Sequence, residues 1–121
     1  MLEKHEYSEK IWEKAAELGF IGIHFPKEYS GMSLGVLENI LVCEELCRGD
    51  STLGICLFLA DFATEIILHH GSEEQKAKWL PMVAEGNCLS CGAFTEPDHG
   101  SDITSVGTTA VRDGDEWVVN G

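Results

Sequence analysis

The sequence predicts a mainly α-helical chain that runs into the first strands of an antiparallel β domain. Three observations carry this. Apolar residues recur at helical spacing, punctuated by capping residues, as far as residue 86. From Asn87 onward the runs become short and strand-like. Two of those runs flank Asp113-Gly114-Asp115, which signals a hairpin. Residues 1–86 are therefore assigned to a helical domain and residues 87–121 to the incomplete start of a β domain.

The first helix is expected from Ser8 to Leu18, stopped by Gly19. Ile11, Ala15 and Leu18 share its inner face, flanked by Trp12 and Ala16, while Glu9, Lys10, Glu13, Lys14 and Glu17 form the solvated side. A short apolar passage, Ile21 to Phe25, ends at Pro26, and the glycines and Ser30 beyond it mark a loop. A second helix is expected to start with Ser33 as N-cap, to carry Leu34, Leu37, Leu41 and Val42 inward, and to end near Gly49. Ser51 can cap a third helix from Thr52 to His69, apolar almost all round through Leu59 and so expected to be the buried central one. Ser72-Glu73-Glu74-Gln75 is a capping box. It opens a fourth helix through Trp79, which Pro81 bends or restarts before Gly86. Cys88 to Thr95, Thr108 to Arg112 and Glu116 to Asn120 read as strands.

At 121 residues the chain is long enough for one domain with a modest core. Its 21 acidic and 8 basic side chains give a formal net charge of −13, which argues against nucleic acid and anionic membrane surfaces as partners. Residues 1–6 are charged and carry no secretory signal, and the longest apolar run, Leu53 to Ala60, is too short to span a bilayer. Five cysteines, an odd number, point to free thiols in a reducing compartment, expected to be the cytoplasm or, in a eukaryote, the mitochondrial matrix. Cys88 and Cys91 have CxxC spacing without a second pair. Cys43 and Cys47 lie one helical turn apart. Both pairs read as small packing residues. His69 and His70 point apart on a helix and make poor co-ligands, so no metal site is expected.

The most informative stretch is Ala93-Phe94-Thr95-Glu96-Pro97-Asp98-His99-Gly100-Ser101-Asp102. A strand is expected to end at Phe94. Pro97 fixes its own φ, and Gly100 is expected in a conformation closed to other residues. Ser101 and Asp102 place a hydroxyl and a carboxylate beside exposed backbone amides. Such a turn can hold a planar polar ring against the strand and an anionic phosphate against the loop. The alternative is a tight surface loop opened by an Asx or ST turn.

This run resembles the flavin-binding segment of the acyl-CoA dehydrogenase family, whose pattern is Thr-Glu-Pro, two variable residues, then Gly-Ser-Asp. Further matches follow the family's order along the whole chain. They are Gly19-Phe20-Ile21-Gly22 with Pro26-Lys27-Glu28-Tyr29-Ser30-Gly31, Glu44-Glu45-Leu46-Cys47-Arg48, Gly71-Ser72-Glu73-Glu74-Gln75-Lys76 with Trp79-Leu80-Pro81, and the hairpin from Asp113 to Gly121.

The resemblance implies FAD as cofactor and α,β-dehydrogenation of an acyl-CoA thioester. In that reaction a carboxylate takes the α-proton while a hydride leaves the β-carbon for the flavin. It implies that Phe94 and Thr95 flank the flavin ring, that Gly100 and Ser101 approach its pyrophosphate, and that Ser101 also meets the substrate's pantetheine. Asp102 is read as a turn residue, because a carboxylate beside phosphate would repel it. Glu96 is rejected as the general base, since a carboxylate in that position anchors a loop. The family's third helix lines the far end of the acyl pocket. Phe58 and Phe62, on one face with Ile55 and Leu59, either pack as ordinary core or plug that pocket, leaving room for a short, branched or cyclic acyl group. The resemblance also implies an electron-transfer flavoprotein as acceptor and a dimeric or tetrameric full-length protein. It further implies a preceding helix, and a following Lys-containing strand, sheet and helical bundle that hold the catalytic carboxylate. The chain thus reads as a piece of a longer protein with no catalytic residue of its own. An acyl-CoA oxidase or flavin monooxygenase of the same fold, or a non-catalytic helical interaction domain, remain the alternative readings.

Overall fold

Trp12 sets the position of the first helix. The computed structural model describes residues 8–121, so the charged start at residues 1–6 lies outside the described residues. Helix α1 (Glu9–Glu17) begins after an extended Ser8. The Trp12 indole N–H donates to the Gly86 carbonyl at 2.9 Å. The helix thereby turns Trp12 and Ala15 into the core and leaves Leu18 half exposed, where the sequence pattern had placed Leu18 inward. The chain then reverses through Gly19 and Phe20 and threads Ile21, Ile23 and Phe25 into full burial. Between them, Gly22 takes a φ of +64°.

Past Pro26 a single 3-10 turn, Lys27–Tyr29, buries the Tyr29 ring and sends its hydroxyl to Glu73. Ser33 does not cap the next helix. Its backbone turns left-handed and its hydroxyl accepts the Lys27 N–H at 3.0 Å. Helix α2 (Val36–Gly49) starts instead at Gly35, whose N–H donates to the Glu38 carboxylate at 2.8 Å. No residue of α2 is fully buried. Leu34, Leu37 and Leu41, expected to face inward, are exposed. The reason is that α2 meets its neighbour along a different line, where Gly54 of the following helix sits against Cys47. A Cβ there would stand 2.7 Å from the Cys47 backbone nitrogen, so only glycine lets the two helices approach so closely.

The apolar stretch from Ser51 to His70 is two helices rather than one. Helix α3 (Ser51–Phe58) is capped by Asp50, not by Ser51, its carboxylate accepting the Leu53 N–H at 2.9 Å. A 3-10 turn at Leu59–Asp61 then interrupts the run before helix α4 (Thr64–His70). By length and hydropathy residues 51–70 could cross a membrane, yet the run breaks at a buried carboxylate, Asp61, that a continuous lipid-facing helix would not carry. One face is buried, through Gly54, Leu57, Ala60, Asp61 and Thr64. The other exposes Ile55, Leu59, Phe62 and Ile66, so the expectation of a helix buried all round does not hold.

Helix α5 (Glu73–Ala84) opens on the capping box read from the sequence. Ser72 Oγ accepts the Gln75 N–H at 3.2 Å while Gln75 Oε1 accepts the Ser72 N–H at 2.8 Å. The helix continues through Pro81, which removes one N–H without ending the element, and buries Leu80, Val83 and Ala84. Burying a Leu side chain such as Leu80 contributes about 1.5–3 kcal/mol. These residues close the core with Trp12, Ile21, Phe25, Tyr29, Leu57 and Ala60.

The chain forms two compact units, the first reaching Cys91 and the second running from Gly92 to Gly121. Residues 87–90 stay with the helices because the Asn87 and Cys88 N–H groups bond to the Met82 carbonyl, and Ser90 bonds twice to the Ala60 carbonyl. The second unit holds a hairpin, β1 (Thr109–Asp113) and β2 (Glu116–Asn120), paired antiparallel with Val111 opposite Val118. Cys88 to Thr95, expected as a strand, forms none: among the described residues β1 and β2 pair only with each other.

Candidate functional site

Glu96 organises the loop that carries the sequence-predicted cofactor residues. Its carboxylate accepts the Gly107 N–H at 2.7 Å, the Thr108 N–H at 2.8 Å and the Thr108 hydroxyl. Its backbone closes a tight turn with His99, N–H to carbonyl at 2.8 Å one way and 3.3 Å the other, across Pro97 and Asp98. The Thr108 hydroxyl, then the two backbone N–H groups, hold the Glu96 carboxyl below the usual carboxylate range. A carboxylate so engaged is an anchor and a poor proton acceptor. Asp102 does the same on a smaller scale. It caps the 3-10 turn Ile103–Ser105, accepting from the Ser105 and Thr104 hydroxyls and the Thr104 N–H, and these bonds lower its pKa.

With Glu96 and Asp102 bonded within their own segment, Asp98 is left as the exposed carboxylate of the turn, beside neutral donors on Thr95 and Ser101. Among the described residues, nothing takes the hydroxyls or backbone N–H groups of Thr95 and Ser101, and both residues are exposed. Gly100 lies beside Thr95: a Cβ on Gly100 would meet the Thr95 methyl at 3.9 Å. Its φ is not left-handed, so the expectation that Gly100 serves a conformation closed to other residues is corrected. What its missing side chain provides is space next to Thr95. Phe94 folds its ring back over Gly92, where a Cβ would stand 2.0 Å from the ring. Neutral hydroxyls, free amides and a gap beside them fit a flavin edge and a phosphate, with the Glu96 and Asp102 carboxylates engaged by their own segment.

Phe58 and Phe62 lie in the helical unit. Phe58 is half-buried and Phe62 half exposed, on the face of the α3–α4 run that turns away from the core. On the opposite side, Leu53 and Leu57 join Ile11, Leu18, Phe20 and Leu46 to line an apolar groove.

The sequence pattern did not reveal a polar cluster in the same unit that runs from buried Asp61 out to exposed His69. Asp61 accepts the Gly22 N–H at 2.8 Å. Burial pushes its carboxyl up, against the Gly22 N–H and nearby His24. Glu65 binds His24 with one oxygen and His69 with the other, the latter at 3.1 Å, while Asn39 reaches the far nitrogen of His24 at 3.5 Å. The one signal was a carboxylate inside an apolar helical run. Among the described residues no group of three or more His, Cys, Asp or Glu is arranged to hold a metal ion.

The chain matches known proteins over most of its length. The family model described as "Acyl-CoA dehydrogenase, N-terminal domain" matches residues 1–87. The chain belongs to the acyl-CoA dehydrogenase family. An acyl-CoA dehydrogenase of Mycobacterium tuberculosis is 39% identical over 98% of this chain and 30% of its own length. Among solved structures, one of the electron transferring flavoprotein of Acidaminococcus fermentans matches with a TM-score of 0.88 and 42% identity, over 98% of this chain and 32% of that one. A glutaryl-CoA dehydrogenase of Mycobacterium smegmatis in complex with FADH2 matches with a TM-score of 0.82 and 34% identity, over 93% of this chain and 29% of that one. The chain thus spans about a third or less of the family members it matches. The helical bundle and the hairpin are those of the family.

Proposed function

We propose that this chain supplies the helical domain and the flavin-edge loop of an FAD-dependent acyl-CoA dehydrogenase. The observation that carries the reading is the loop from Phe94 to Asp102, where Glu96 and Asp102 are bonded to their own chain and the Thr95 and Ser101 donors are free. Bound FAD would accept the hydride from the substrate β-carbon. Thr95 would hold the polar edge of the ring by its hydroxyl and backbone N–H. Gly100 and Ser101 would lie along the pyrophosphate, and Ser101 would also bond the pantetheine of the thioester. Neutral donors suit a ring that gains electron density on reduction. Glu96 stays an anchor, and none of the residues assigned here acts as the base. The flavoprotein match favours a second flavoprotein as electron acceptor, and the free cysteines suit a reducing compartment.

The test is flavin binding. The 121-residue chain should bind FAD weakly, because Thr95, Gly100 and Ser101 are all exposed and offer one side of a site. In a full-length enzyme carrying this sequence, Thr95→Ala should raise the FAD dissociation constant about 2- to 12-fold, the equivalent of one neutral hydrogen bond. Ser101→Ala should weaken thioester binding or flavin retention. Wild-type values for both variants would remove this loop from the site.

A further inference from the structure

We propose that Cys43 and Cys47 form a two-coordinate site for a soft monovalent cation, Cu(I), on helix α2. The two sulfurs stand 4.0 Å apart on successive turns of an unbroken helix. They cannot form a disulfide in place: Cβ atoms at i and i+4 lie about 5–6 Å apart, whereas a disulfide requires about 3.5–4.5 Å. A cation between them meets no such obstacle. With each metal–thiolate bond about 2.3 Å long, sulfurs up to about 4.6 Å apart can share one ion. The observed spacing lies within that span.

Three features favour the soft, low-coordinate ion. Soft thiolates favour Cu(I), Zn²⁺ and iron–sulfur clusters, and the clusters need four cysteines. Zn²⁺ takes four ligands in a structural site, and among the described residues no third His, Cys, Asp or Glu joins the pair. Both cysteines are half-buried, and Cys47 is seated against Gly54, where a Cβ would come within 2.5 Å of its sulfur. The thiols are therefore ordered and sheltered, in a chain whose net charge of −13 attracts cations. Binding then releases two protons: two S–H bonds break, two S–Cu bonds form, and copper remains Cu(I) throughout.

The competing pair is Cys88 and Cys91, and the test separates the two. The reduced chain is titrated anaerobically with Cu(I) against a chromogenic Cu(I) chelator, and thiol accessibility is mapped by iodoacetamide labelling and mass spectrometry. At one equivalent, Cys43 and Cys47 should be protected together while exposed Cys56 and Cys91 remain reactive. The doubly substituted Cys88→Ser, Cys91→Ser chain should keep the equivalent, and Cys43→Ser or Cys47→Ser should each lose it. Labelling of the unsubstituted chain does not depend on any variant folding. Protection at Cys88 and Cys91 instead, or full labelling of Cys43 and Cys47 at one equivalent, would overturn the proposal.

Discussion

Replacing Gly22 by Ala tests how tightly the core is built around the reversal after α1. Gly22 sits at φ +64°, where an L-residue costs about 1–2 kcal/mol. An added Cβ would also stand 2.6 Å from Cδ2 and 2.9 Å from Cε2 of Phe25, and 3.2 Å from the Ala84 methyl. The Phe25 ring is 0% exposed and has no room to swing away. Overpacking of that kind adds about 1–3 kcal/mol. Gly22→Ala should therefore cost about 2–5 kcal/mol in all. Gly19→Ala supplies the comparison. Its φ is +74°, but the nearest atoms are the Met32 side chain, beginning with Sδ at 3.1 Å, which is flexible and can yield. It should cost only the backbone share, about 1–2 kcal/mol. Urea unfolding of the three proteins, followed by circular dichroism, measures the difference. Equal losses for the two variants, or a smaller loss at Gly22, would refute the argument that Phe25 cannot move.

Asp61→Asn should leave stability unchanged or raised at pH 7. The Asp61 pKa is elevated in the fold, so the contribution of the protonated acid is present at low pH and lost as pH rises through that elevated value. An amide still accepts the Gly22 N–H, whereas Asp61→Ala strands that donor at about 1–3 kcal/mol; equal losses for Asn and Ala would contradict this. Tyr29, donating to Glu73 and partly desolvated, has its pKa pushed up to about 12. The stability tied to its protonated hydroxyl should persist through pH 10 and disappear as pH rises toward 12. Alkaline absorbance titration should show a late tyrosine step that Tyr29→Phe removes. In a full-length enzyme with this sequence, Phe62→Ala should lengthen the acyl chain accepted, and a native preference for long straight chains would count against Phe58 and Phe62 as a pocket end.

Local signals in the chain translated well where the interaction was local. The capping box at Ser72 and Gln75 and the hairpin around Gly114 depend on residues a few positions apart, and both formed as read. Predictions failed where distant partners decided. Trp12 turned inward because its N–H reaches Gly86, a residue far along the chain. Leu37 and Leu41 lie outward because the seam between α2 and α3 follows Cys47 and Gly54, and hydrophobic spacing alone cannot choose between two apolar faces. Asp50 displaced Ser51 as a cap because both residue types cap well and only the start of the helix decides between them. In the loop, the motif named Thr95 and Ser101 as candidates, but it could not show that Glu96 would find its partners at Gly107 and Thr108.

That long-range bond has a consequence for recognition. By joining residue 96 to residues 107 and 108, one side chain closes the segment into a ring, and the entropy of ordering it is lost during folding rather than at the moment of encounter. On the proposed reading, a ligand arriving at Thr95 and Ser101 would find a surface already shaped, so more of its contact energy would remain as affinity. The fastening is also chemically gated. Because the Glu96 pKa is depressed, its contribution is complete above the usual carboxylate range and disappears only as pH falls through the lowered value. The loop therefore keeps its shape across the neutral range and loosens in acid.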